Sequence, residues 1–293
     1  MMTDYTIRAI SADGQVRGFA AVTTQLVQEL VRRHHTYPVV SAALGRTATM
    51  GALMGLTLKK DYHKVTIQVV GDGPIGRIMV DADGAGHVRG SVDNPIVEHN
   101  DDYKLNVGAA VGQGSIYVVK DLGLKEPYRG ASPIISGELA EDFTYYFAVS
   151  EQTPSSVGLG VLVKGEEILV AGGYMLQVMP GATDETITRL ETNIAELNEL
   201  TSISELFNQG VTPEELLTRL MGEGTEILQK QSVSFQCNCS REKSRAMLKS
   251  LGKEELESIL AELGQAEVIC HYCNEKYVFS SEDLQSIIKE EID

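Results

Sequence analysis

The sequence predicts an α+β protein in three parts: an N-terminal mixed α/β core domain over residues 1–179, a helical linker over 180–236 and a small C-terminal domain over 237–293. Three observations predict it. Strand-like and helix-like stretches succeed one another without the regular alternation that a parallel βαβ sheet requires. Charge changes along the chain: 15 basic and 19 acidic residues before position 180 give −4, 3 and 10 over 180–236 give −7, and 7 and 12 beyond give −5. Finally, Cys237, Cys239, Cys270 and Cys273 all fall in the last 57 residues. Chance would gather four cysteines there about once in 700 trials.

In chain order, Tyr5-Thr6-Ile7-Arg8-Ala9 alternates like a strand and Asp13-Gly14 is a hairpin signal. Leu26, Leu30 and Val31 give helical spacing to Thr24–His34, and Pro38 opens a second helix rich in small residues. From Val65 to Val92 short alternating strands are separated by glycine-rich turns. Glu138 to Val149 reads as a helix, and Gly158 to Met175 as a hairpin about Gly165-Glu166. In the linker, Ile187, Leu190, Ile194 and Leu197 form an apolar stripe at spacings of three and four. Thr212-Pro213-Glu214-Glu215 is a capping box with proline at the first helical position, and Gly222 and Gly224 end that helix. The C-terminal part shows a cap at Ser240, a helix from Lys253 to Leu263, a short strand at Tyr277-Val278-Phe279, and a terminal helix started by Ser280 and Asp283.

Bulk properties exclude several classes. A net charge of −16 over 293 residues repels phosphate backbones and anionic lipid, so nucleic acid and membrane are not expected partners. Met1 to Arg8 lacks the basic and apolar regions of a secretory signal, and the apolar tract Val39–Leu58 is broken by Arg46 and reads as a buried helix. A cytoplasmic location, where thiols are kept reduced, is the expectation.

Two close-spaced cysteine pairs, thirty residues apart, suit a structural zinc bound by four thiolates, one ion per chain. Cys270 and Cys273 have the usual knuckle spacing, whereas Cys237 and Cys239 leave a single residue between them. Four uncommitted thiols, or a Cys₃His site using His271, are the alternatives. Fifty-seven residues bury too little apolar surface to be stable alone, so 237–293 is expected to be a small C-terminal zinc-binding domain that needs its metal.

The same spacing suggests redox sensitivity. Zinc holds sulfur as thiolate, the species that oxidants attack. A Cys-x-x-Cys pair closes a disulfide readily, while a Cys-x-Cys ring is small and strained, which makes it labile. Structural zinc contributes about 10–16 kcal/mol, which is also folding free energy, so losing its ligands should unfold the domain.

Two other motifs compete. Gly71-Asp72-Gly73-Pro74-Ile75-Gly76 matches G-x-G-x-x-G, but the strand-like Arg77-Ile78-Met79-Val80 follows where a dinucleotide site needs a helix. Cys270-x-x-Cys273 invites a thiol–disulfide oxidoreductase reading, against which stand the second cysteine pair and the missing βαβ context. A zinc-ribbon nucleic-acid binder would need a basic face, and the C-terminal part carries −5.

The cysteine arrangement resembles that of the redox-regulated heat-shock holdases, the 33 kDa chaperonin family. The likeness extends over Asp13-Gly14-Gln15-Val16-Arg17, the Gly71–Gly76 segment, Gly86-His87-Val88-Arg89-Gly90 and, most specifically, Gly137–Phe147 continuing to Ser150–Ser155. Ala171-Gly172-Gly173-Tyr174 and Met179-Pro180-Gly181 complete it. The resemblance implies a non-enzymatic, ATP-independent chaperone that holds unfolding client proteins under oxidative stress. It implies a reduced, zinc-bound, inactive form. Oxidation to Cys237–Cys239 and Cys270–Cys273 disulfides then releases zinc, unfolds a metastable linker and gives an active homodimer.

The linker is a candidate client-binding surface beside the 1–179 core, the expected dimerisation and substrate domain. Its stripes must dock on something, and the zinc domain is its neighbour in sequence. Were that domain to clamp the linker, melting it would expose Ile187, Leu190, Ile194, Leu197, Leu206 and Phe207, an apolar surface rimmed by charge. A plain helical linker that never leaves its docked position is the alternative.

Overall fold

The structure, a computed structural model, describes residues 3–98 and 105–290. The chain begins with the hairpin β1 (Tyr5–Ile10) and β2 (Val16–Val22), followed by α1 (Thr24–His34) and α2 (Pro38–Gly55). A meander follows: β3 (Lys64–Gly71), β4 (Arg77–Asp83) and β5 (His87–Val92), then the short α3 (Val107–Val111), β6 (Gly114–Asp121) and β7 (Tyr128–Pro133). Next come α4 (Ala140–Val149) and a long hairpin, β8 (Ser155–Lys164) and β9 (Glu167–Val178). Three helices, α5 (Asp184–Leu200), α6 (Ile203–Asn208) and α7 (Pro213–Met221), lead to β10 (Glu226–Ser232) and β11 (Ser234–Phe235). The class is α+β: pairing is antiparallel in both large sheets, of order β10-β1-β2-β9-β8 and β11-β5-β4-β3-β6-β7, except for the parallel β11–β5 step.

Almost every residue of α2 from Val39 to Gly55 is buried, because the helix touches strands of both sheets. Small residues make that possible. A Cβ on Gly45 would lie 2.7 Å from Val27 Cγ1, and one on Gly51 2.7 Å from Val80 Cγ1. The five-stranded sheet is buried on both faces. Phe19 and Ala21 of β2 face the core around α2, while Ala20 and Val22 face α5–α7. The Gly71–Gly76 segment is the turn joining β3 to β4, whose register ends at Val70↔Arg77; a strand, not a helix, follows it.

The linker stripes dock on this sheet. Leu190, Leu197, Ile203, Leu206, Phe207, Leu216, Leu217, Leu220 and Met221 share one apolar cluster with Tyr5, Ile7, Ala9, Tyr174 and Leu176. Polar ties reinforce the contact: Arg189 pairs with Asp13 at 2.8 Å, and Tyr5 donates to Glu214 at 2.7 Å. Lys230 pairs with the same carboxylate at 2.9 Å. The reading of 180–236 as helical throughout needs amending at its end, where β10 pairs antiparallel with β1 from Tyr5↔Ser232 to Ile10↔Glu226. Most β10 side chains are exposed, so the strand is held by its backbone and shows no apolar alternation.

The chain folds as two compact units, Met1–Gln236 and Cys237–Asp293. The second contains α8 (Arg241–Lys249), α9 (Lys253–Leu263), the hairpin β12 (Ala266–Ile269) with β13 (Lys276–Phe279), and α10 (Ser281–Glu290). Its apolar core among the described residues is small: Leu248, Leu256, Ala266, Val268, Phe279, Leu284, Ile287 and Ile288.

Candidate metal centre

The hairpin β12–β13 builds half of the site. Its register closes at Ile269↔Lys276, and the turn between them contains Cys270 and Cys273. The turn is tied by Cys270 N–H to Glu275 O at 3.0 Å and Asn274 N–H to Cys270 O at 2.8 Å, with Asn274 in the left-handed region at φ 55°. The other half is the segment between β11 and α8. Ser240 caps α8 by accepting from Lys243 N–H at 3.3 Å, and the Lys243 ammonium donates to Asn238 O at 2.5 Å, between Cys237 and Cys239.

All four sulfurs lie within 4.8 Å of one another. Across the two segments, Cys237 and Cys270 are 3.6 Å apart and Cys239 and Cys273 3.3 Å. Four sulfurs about 2.3 Å from a tetrahedral zinc would sit about 3.8 Å from each other, so the cluster has the dimensions of a Cys₄ site. His271 is exposed on the turn and outside the group.

The electrostatics of the bare cluster also suit a cation. At Cys237 burial raises the thiol pKa, but the backbone N–H of Cys239 and the neighbouring sulfurs outweigh it and bring the value down to about 7. Burial pushes Cys270 and Cys273 up, and the Cys237 sulfur adds to the rise at both. Protons are thus shared unevenly, since several thiolates cannot crowd together without a positive charge; a bound divalent ion would displace them. Tyr277, on β13, donates its hydroxyl to Cys239 Sγ at 3.2 Å, and that bond raises the phenol so that it keeps its proton. Sequence reasoning placed Tyr277 only as a strand residue; its partner lies 38 positions away.

The proposed client residues belong to the first unit. Leu190, Leu197, Leu206 and Phe207 are buried in the cluster under α5–α7, Ile194 packs against it half-buried, and Ile187 is half-buried. No helix among the described residues is long and apolar enough to cross a membrane.

Known proteins agree with this architecture. A family profile described as Hsp33 protein matches residues 4–280. The 33 kDa chaperonins of Staphylococcus aureus strains JH9 and Newman are each 51% identical over 294 residues, covering 99% of this chain and 99% of each relative. The crystal structure of a 33 kDa chaperonin (heat shock protein 33 homolog) from Thermotoga maritima aligns with a TM-score of 0.92 at 36% identity, covering 100% of both chains. An α+β body followed by a small unit with four gathered thiols is, on these likenesses, a heat-shock chaperone. More narrowly, the chain belongs to the Hsp33 family.

Proposed function

We propose that the chain is a redox-regulated, ATP-independent holdase of the cytoplasm: reduced and zinc-bound it is inactive, and disulfide formation with zinc release activates it. The observation that carries this reading is the gathering of Cys237, Cys239, Cys270 and Cys273 within 4.8 Å. Zinc held there, one per chain, would keep four sulfurs as thiolates and supply about 10–16 kcal/mol of cohesion to a unit with a small core. Oxidising one pair removes two ligands and most of that cohesion. The family resemblance implies that the bonds formed are Cys237–Cys239 and Cys270–Cys273.

Activation then requires the 180–236 segment to leave the five-stranded sheet. Only Gln236 separates the end of β11 from Cys237, so the segment and the thiol unit are covalently continuous. Its release exposes Ile187, Leu190, Ile194, Leu197, Leu206 and Phe207 for unfolding proteins, and the sheet face offers a surface for a homodimer. In this reading 1–179 is the dimerisation and substrate domain, 180–236 a metastable linker and 237–293 the redox switch. The protein is a binder, with no catalytic residues, no nucleic-acid partner and no membrane partner.

The test follows zinc release with a chromogenic chelator and aggregation of a heat-denatured client together during peroxide treatment. Zinc release and protection of the client should rise in step. Zinc release without protection would refute the holdase, and turnover of a disulfide substrate by the reduced chain would favour the oxidoreductase.

A further inference from the structure

The four sulfurs are not solvated alike. Cys237 accepts a backbone N–H from Cys239, Cys270 one from Tyr272, and Cys273 one from Glu275. Cys239 accepts from a side chain, the Tyr277 hydroxyl at 3.2 Å. That hydroxyl is firmly placed. Tyr277 pairs with Val268 across the hairpin and packs against the small core. Two residues on, on the same strand face, Phe279 is 1% exposed and lies beneath the Arg241 guanidinium, 4.4 Å from its ring centroid. Arg241 also donates to Val278 O at 2.7 Å and pairs with Asp283 at 2.8 Å, which ties β13 to α8 and α10.

We propose that Tyr277 modulates the thiol switch: its hydroxyl, bonded to Cys239 Sγ, slows oxidation of that sulfur. The proposal rests on the redox reading above and gives one of its four sulfurs a side-chain control on its rate.

The chemistry is a two-electron oxidation by a peroxide. A sulfur lone pair attacks one peroxide oxygen, the O–O bond breaks and hydroxide leaves, giving a sulfenic acid. A second thiolate attacks that sulfur, the S–S bond forms and the S–O bond breaks. The oxygen leaves as hydroxide, which takes up a proton to become water. The peroxide is reduced and two thiolates are oxidised. A donor bonded to the sulfur lone pair must be weakened before that pair can form the S–O bond. A hydrogen bond of ordinary strength should thereby slow attack about three- to tenfold. Backbone donors do the same at the other three sulfurs and cannot be removed by substitution; the Tyr277 donor can.

The experiment uses the full-length, zinc-loaded chain and hydrogen peroxide, with thiols trapped by alkylation and mapped by mass. Tyr277→Phe keeps the ring and its packing and should oxidise Cys239 about three- to tenfold faster, with Cys270 and Cys273 little changed. Incorporating 3-fluorotyrosine at position 277, a stronger donor on the same ring, should slow Cys239 instead. Cobalt(II) in place of zinc supplies a readout independent of oxidation: in Tyr277→Phe the thiolate-to-cobalt charge-transfer band should move to longer wavelength. Equal Cys239 rates in wild type and Tyr277→Phe, or loss of metal stoichiometry in Tyr277→Phe, would overturn the assignment, the second by making Tyr277 a structural residue. If the wild-type chain ignores peroxide altogether, the switch itself is refuted, and the cobalt band still decides whether Tyr277 modulates the sulfur.

Discussion

Leu217→Asp should activate the reduced, zinc-loaded protein without any oxidant. Leu217 is fully buried on α7 beside Leu216, Leu220 and Met221, and the helix lies so close to β2 that a Cβ on Gly18 would be 2.3 Å from Met221 Sδ and 3.1 Å from Leu217 Cδ2. Four such side chains at about 2 kcal/mol each give roughly 8 kcal/mol of attraction. The bonds from Tyr5 and Lys230 to Glu214, and from Asn193 to Leu220 O, add about 1 kcal/mol apiece. Ordering the nine residues of α7 costs about 9–18 kcal/mol, so docking is close to balance in the native chain. The substitution removes about 2 kcal/mol of burial and adds several for an unpaired carboxylate at an apolar face. Docking of α7 should fail while the cysteine site is untouched. Protease cleavage between Pro180 and Gln236 would report the undocking, zinc content the intact site, and light scattering of a heat-denatured client the activity. An undocked, zinc-loaded variant that leaves aggregation unchanged would refute linker exposure as the activating event and move the client surface to the N-terminal domain.

Three further outcomes are expected. Cys239→Ser should abolish tight stoichiometric zinc, and metal analysis showing one zinc retained would sink the four-cysteine assignment. During oxidation Cys270–Cys273 should form before Cys237–Cys239, because its ring closes with less strain; mass mapping of trapped thiols that finds the reverse order would end that argument. Asp4 accepts from Gln25 N–H at 3.1 Å and Leu26 N–H at 2.7 Å at the start of α1, yet burial outweighs these bonds and raises its carboxyl to about 6. Its stabilising contribution is full below the unfolded value near 4 and is lost as pH rises through about 6. Relative to Asp4→Asn, which gives up one of the two bonds at every pH, the wild type should therefore lose up to about 3 kcal/mol of unfolding free energy between pH 4 and pH 8, as thermal melts of both across that range would register.

The elements that announced themselves in the sequence are those whose side chains carry the signal. Thr24–His34 was marked by its apolar spacing, and Thr212 with Glu215 forms the capping box at the head of α7, with Thr212 accepting from Glu215 N–H at 3.2 Å. Two cysteine pairs at metal-ligand spacing sufficed to expect one gathered site. What stayed hidden is held by backbone or by distant partners. β10 offers no apolar alternation because neither of its faces is the main contact; its hydrogen bonds to β1 are. The burial of the linker stripe was legible, but the surface covering it was not, since Ala20, Val22, Tyr174 and Leu176 lie on strands far away in sequence. Tyr277 escaped for the same reason, because nothing near it in the chain points to Cys239.

β10 is one of the two edge strands of its sheet, and it belongs to the segment proposed to come free. Its departure would do more than uncover apolar side chains. β1 would become the sheet margin, with the N–H and C=O groups now spent on residues 226–232 facing solvent. Such a margin accepts any extended polypeptide, because it reads the peptide backbone and is indifferent to the side chains attached. A chaperone that frees a strand-wide template along with a greasy face could take clients of unrelated sequence, and the strand it sheds would be the competitor that displaces them once the thiols are reduced again.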